Sequence, residues 1–134
     1  MSDAENIVCK IVIPLQPITK KNHQQIIMAH GRHIVIQANR YLQYEKDAGY
    51  FIHCKNANID YPINLKMVYY MSTKRKVDLG NLQNATCDIL VKYKVLADDN
   101  CKIVASMDGS RVYYDKEHPR TEITITKLKT TEEN

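Results

Sequence analysis

"KRKVDLGNLQNATCDILVKYKVLADDN", residues 74–100, joins a basic run, a helix start signal, an apolar stripe and a pair of acids. Leu79, Leu82, Ala85, Thr86, Ile89 and Leu90 recur at helical spacing, which predicts a helix over about residues 79–93 that buries this stripe. Asp78 then stands at the N-cap. An Asp there accepts hydrogen bonds from first-turn amides, and its charge favours the positive end of the helix dipole, so a purely structural reason for it exists. Asp98 and Asp99 are harder to explain that way. Adjacent acids in a short connection repel each other unless a cation or a base sits between them. A loop can simply solvate both, but if the strand after Asp99 runs beside the strand before Asp78, both carboxylates arrive at one sheet edge and could share a magnesium ion. Magnesium takes one or two carboxylates and fills its remaining positions with water and phosphate oxygens.

The flanking segments give the architecture. Before the basic run, "YPINLKMVYYM" alternates Ile63, Leu65, Met67 and Tyr69 onto one face, the period of a strand. After the acids, "CKIVASM" and "SRVYYD" flank the turn pair Asp108 and Gly109 and read as a hairpin. "PRTEITITKL" closes the domain as a strand with Ile123, Ile125 and Leu128 inward. Toward the N-terminus, "IVCKIVIPLQP" reads as a strand running into a loop at Pro14 and Pro17, and "QQIIMAHGRHIVIQ" as a hairpin turning at His30 and Gly31. Tyr41, Leu42, Ala48 and Ile52 predict a packing helix over about residues 38–55, weakened by Gly49. This order predicts an α+β domain with a mixed sheet and two main helices.

With 134 residues, 44% of them hydrophobic and 25% charged, the chain fits one folded domain over about residues 6–128, followed by a polar tail from about 129. It has no apolar run near the roughly 18 residues that span a bilayer, and "MSDAEN" lacks the basic start of a secretory signal. No membrane association and a cytoplasmic location are the resulting expectations. Cys9, Cys54, Cys87 and Cys101 are far apart and form no C-x-x-C pair, so inert thiols are expected rather than a zinc site or a disulfide framework.

The formal net charge of +4 is mild, but the bases are concentrated beside turns. Lys20, Lys21, Lys74, Arg75, Lys76 and Arg111 are the expected phosphate contacts, although any one such run is also what a solvated face looks like. Asp88 lies ten residues beyond Asp78, about 15 Å along a helix, too far to share an ion with it. A structural acid paired with Lys or Arg is expected there.

Together, "KRKVDLGNLQNATCDIL", "LADDN" and the closing "RTEITIT" resemble the RusA-like Holliday-junction resolvases, whose core motif reads D-x-D-N-x-x-K, then D-x-L, then D-D. Asp78, Asn81, Asp88, Asp98 and Asp99 match that pattern, while Gly80 and Asn84 stand where the family has its second Asp and its Lys. The resemblance implies a homodimeric endodeoxyribonuclease that nicks branched DNA in recombination and repair. It implies Mg2+ as the cofactor, Mn2+ as an alternative ion, and no small-molecule cofactor. Asp78, Asp99 and Asp98 are the implied catalytic and metal-binding residues, with Asn81 adding an amide oxygen. The departures at Gly80 and Asn84 leave a second expectation, a junction-binding protein that no longer cleaves.

Overall fold

The structure, a computed structural model, describes residues 6–20, 24–29, 31–37 and 39–129. In chain order it runs β1 (Ile7–Ile13), β2 (Gln24–Ala29), β3 (Arg32–Gln37), α1 (Asn39–Gly49), β4 (Ile63–Met71), α2 (Leu79–Lys92), β5 (Val104–Ser106), β6 (Arg111–Tyr114) and β7 (Arg120–Lys127). The main sheet has the order β1-β7-β4-β5, with β6 also on β4. Its β1/β7 and β7/β4 pairs are antiparallel, whereas β5 and β6 both run parallel to β4. This is the mixed sheet with two helices that the element order predicts.

Strand alternation decides which face is covered. Ile11 and Ile13 of β1, Ile123 and Ile125 of β7, and Ile63, Leu65, Met67 and Tyr69 of β4 are all buried and belong to one core with the apolar stripe of α2. Tyr41, Tyr44 and Ala48 of α1 complete that core. Tyr69 ties sheet to helix by more than area. Its hydroxyl lies 2.6 Å from Thr86 Oγ1, and Thr86 donates to Leu82 O within α2, so the buried polar atoms satisfy one another. Burial also pushes the Tyr69 phenol well above its ordinary range.

The N-terminal hairpin forms as expected, as a separate two-stranded sheet of β2 and β3 with Gly31 at φ +74° in its turn; His30 lies outside the described residues. The first long helix is shorter than its apolar spacing suggests, ending at Gly49 rather than near residue 55. Close packing explains the stop. A Cβ on Gly49 would lie 2.5 Å from the Tyr93 ring, whose hydroxyl donates to Glu45 O at 3.1 Å, so Tyr93 abuts the last turn of α1. The chain then continues as a turn, with Tyr50 N donating to Asp47 O and Phe51 N to Ala48 O.

A second correction concerns residues 101–115. Rather than folding into a hairpin, β5 and β6 lie one after the other along the same edge of β4, with Val104 beside Ile63 and Arg111 beside Val68. The segment between them bulges out, and side chains take over its backbone bonding. Asn64 Oδ1 accepts from Ser106 Oγ (2.6 Å) and from Asp108 N (2.7 Å), and Ser110 Oγ accepts from Met67 N (3.0 Å). Gly109, at φ +87°, makes the turn. The local sequence carries the same Asp-Gly signal for this arrangement as for a hairpin.

No helix among the described residues is long and apolar enough to cross a membrane.

Candidate active site

Asp78 is held by the start of α2. Its backbone is extended (φ −87°, ψ 118°), and Oδ1 accepts from Asn81 N at 3.3 Å. Its other oxygen, Oδ2, makes no hydrogen bond among the described residues. Asn81 sits one turn along on the same helix, three positions on, so its side chain lies on the face next to Asp78. Gly80 is exposed, and a Cβ built there would stand 3.1 Å from Asp78 Oδ1. The empty position of the motif therefore points at the carboxylate that is present.

Directly before Asp78 the loop of residues 72–77 borders a cleft of about 390 Å³. Its walls come from three segments: Gln16 and Ile18 after β1, Arg40 in the first turn of α1, and Arg75 and Lys76 after β4. Ser72 N donates to Gln16 Oε1 at 2.9 Å and so fastens the β4 exit to the β1 exit. Three cationic side chains line this cleft, and among the described residues no carboxylate does. A pocket of that charge beside a helix N-terminus suits an oxyanion such as a phosphate. Arg40 has no signal in the sequence, because a single Arg at a helix start is unremarkable until the fold brings it to Arg75.

The other expected phosphate contacts are distributed differently. Lys20 Nζ lies 2.9 Å from Asp88 Oδ2 and 5.8 Å from the Tyr41 ring centre. Asp88 is thus the paired structural acid expected from its position in the helix. Lys74 Nζ lies 5.1 Å from the Tyr114 ring. Arg111 shares a face of β6 with Tyr113, whose ring meets Tyr70 at 5.5 Å on the side of the sheet away from the buried core. Lys21 lies outside the described residues.

The acidic pair is far from Asp78 along the chain's path. Strand β5 does run beside β4, as the shared-ion expectation requires, but the pairing is parallel. In a parallel pair, the segment leaving one strand and the segment entering the other lie at opposite ends. Asp78 follows the C-terminal end of β4, while Asp98 and Asp99 precede β5, whose Val104 pairs with Ile63 at the other end. The fourteen residues of α2 between them span about 21 Å. Consistently, Asp78, Asp98 and Asp99 do not form a three-carboxylate cluster.

Each acid of the pair has its own surroundings. Asp98 organises its loop, accepting from Asn100 Nδ2 and from Asp99 N, both at 2.8 Å. The Asn100 bond, then the Asp99 amide, lowers its pKa. Asp99 is exposed and within electrostatic reach of the middle of α2: burial first, then the charges of Asp99 and Asp88, push the Cys87 thiol up to about 12. One acid absent from the sequence reading, Asp115, does reach the Asp78 end of the sheet, where its amide donates to Met71 O. Its carboxylate is already engaged by Arg120 at 3.0 Å and by His118 N at 3.1 Å. Those two bonds, the His118 amide first, lower its pKa.

The cysteines are separate in sequence, but the fold brings two of them to one place. Cys9, His53 and Cys54 converge, with one donor atom from each within 4.8 Å of the others. Cys9 is on β1 and the other two follow α1, so only the tertiary fold brings together residues that no short motif connects.

A family model described as "Endodeoxyribonuclease RusA" matches residues 14–126. No curated protein gives a match.

Proposed function

Since the chain belongs to the RusA endodeoxyribonuclease family, we propose that it is a divalent-metal-dependent endonuclease that nicks four-way DNA junctions, acting as a homodimer in recombination and repair. The observation that carries this reading is the position of Asp78, a carboxylate at a helix N-cap with a cationic cleft on the residues just before it.

The residues fit a hard divalent cation. Asp78 Oδ2 and the side-chain oxygen of Asn81 are hard donors on one exposed helix turn, and magnesium leaves several positions to water and substrate phosphate. When bound there, the ion would supply charge neutralisation and a water of lowered pKa. The protein's own part is to position the substrate. Arg40, Arg75 and Lys76 hold a phosphate in the cleft, and the α2 N-terminus adds its positive dipole. Lys74 and Arg111 reach neighbouring phosphates, and Lys20 adds a weaker contact, its ammonium being shared with Asp88.

A dimer gives Asp99 and Asp98 a part in the same site. Because the acidic pair and Asp78 lie at opposite ends of α2, a two-fold axis across that helix brings the acidic loop of one copy toward Asp78 of the other. Two equal sites then result, matching the two symmetric nicks that resolve a junction.

Gly80 favours a second reading, a junction-binding protein without cleavage, since it supplies no carboxylate where a side chain would face Asp78. A labelled four-way junction incubated with the protein and Mg2+ or Mn2+ separates the two. Paired nicks near the branch point, absent with chelator, are the expected result. Salt-sensitive junction binding without nicking in either ion supports the second reading instead.

A further inference from the structure

Two thiols and an imidazole meet at the opposite end of the sheet from the cationic cleft. Cys9 pairs with Ile125, and Ile125 with Leu65 near the start of β4, whereas the cleft lies where β1 and β4 end, between Gln16 and Ile18 after β1, Arg40, and the residues from Met71 onward. The β1 ladder shifts register between Ile7 and Cys9, a bulge of the kind that re-aims side chains, and Cys9 points inward at 7% exposure. His53 is exposed and Cys54 half-buried, both on the segment after α1. Cys9 Sγ lies 3.8 Å from His53 Nε2, and Cys54 Sγ lies within 4.8 Å of both.

The Cys9–His53 separation is that of two ligands on one small cation, and Cys54 is near enough to join them by a small side-chain shift. With Zn–S near 2.3 Å and Zn–N near 2.0–2.1 Å, tetrahedral geometry sets sulfur–sulfur edges of about 3.8 Å and sulfur–nitrogen edges of about 3.6 Å. The observed 3.8 Å between Cys9 and His53 needs an adjustment of only a few tenths of an ångström. The donor set also selects the ion. Thiolate and imidazole suit zinc, while magnesium requires oxygen.

We propose that Cys9, His53 and Cys54 form a zinc-binding site with its fourth position taken by water, tying the edge strand β1 to the segment that follows α1. Binding forms two Zn–S bonds and one Zn–N bond and releases the two thiol protons to solvent. The site is separate from the hard-cation chemistry at Asp78 and does not depend on it.

The full chain, reduced and freed of metal by chelator, tests this by titration with Co2+ and then Zn2+. The expected result is a near-ultraviolet thiolate-to-cobalt band with visible bands of a tetrahedral ion, saturating at one Co2+ per chain and bleached by Zn2+; an all-oxygen site gives no such thiolate band. Cys54→Ser weakens or removes the band. His53→Ala, at an exposed position, lowers affinity by roughly tenfold or more. Cys101→Ser, at the exposed cysteine outside the cluster, changes nothing. The proposal is overturned if no thiolate band appears, if the band persists unchanged in both Cys54→Ser and His53→Ala, or if Cys101→Ser removes it.

Discussion

A side-chain carbon placed on Gly80 stands 3.1 Å from Asp78 Oδ1, so position 80 is aimed at the carboxylate that caps α2. The contact is with the movable end of a side chain, which can shift by a few tenths of an ångström. Gly80→Asp is therefore expected to fold and to supply a second hard ligand. Nicking of a four-way junction in Mg2+ should rise about tenfold or more, equivalent to roughly 1.4 kcal/mol in the barrier. Gly80→Ala, which fills the same space without a ligand, should not raise it. Equal rates for the Asp and Ala variants would remove the missing-ligand explanation.

Asp78→Asn separates capping from chemistry. Asn caps a helix about as well as Asp, so the melting temperature should change little, by an amount within about 0.5 kcal/mol. Cleavage, by contrast, should fall at least about a hundredfold, because an amide is a far weaker ligand for magnesium than a carboxylate. Parallel thermal melts and nicking rates of the two proteins check this, and a full-rate Asn variant would reduce Asp78 to a structural cap.

Arg75→Ala and Arg40→Ala should weaken junction binding and make the slope of log K against log salt shallower by about one phosphate contact each. Lys20→Ala should have a smaller effect, since Asp88 already holds its ammonium at 2.9 Å. Binding titrations at several salt concentrations give the slopes. Equal changes for all three variants would argue against the cleft as the main phosphate site.

Gly49→Ala is expected to destabilise the fold by about 1–3 kcal/mol, although alanine is ordinarily the better helix residue. The added methyl meets the Tyr93 ring at 2.5 Å, and that ring cannot retreat without breaking its bond to Glu45 O. Chemical denaturation measures the loss, and Gly49→Ala combined with Tyr93→Ala should recover part of it.

Burial, then Asp99 and Asp88, raises the Cys87 thiol to about 12, so very little thiolate exists near neutral pH. Cys101 is exposed. Alkylation of the folded chain at pH 8 should mark Cys101 well before Cys87. Cys87 labelling should then rise about tenfold per pH unit while the protein stays folded, because the thiolate fraction grows in that proportion. Peptide mapping after timed labelling reads both sites.

Much of the fold is local and therefore legible in sequence. Asp78 and the Leu82–Leu90 stripe mark a helix whose observed span is Leu79–Lys92, and the alternation in β4 and β7 identifies the buried face because a period of two leaves one solution. What escapes is set by register between distant segments. Parallel pairing of β5 with β4, which decides where Asp99 lies relative to Asp78, follows from the α2 crossover and not from any residue within "LADDN". Arg40 joins Arg75 in the same way, as Cys9 joins Cys54, through contacts that no local spacing encodes.

The interrupted outer strand has a bearing on how copies of this chain meet. A straight, unpaired sheet margin is a template on which further molecules can stack into fibrils. Here one margin is split into β5 and β6 with Asn64 and Ser110 plugging the gap, and the opposite margin, β1, shifts register between Ile7 and Cys9. Neither border offers a long regular ladder, so open-ended polymerisation through strand addition is disfavoured.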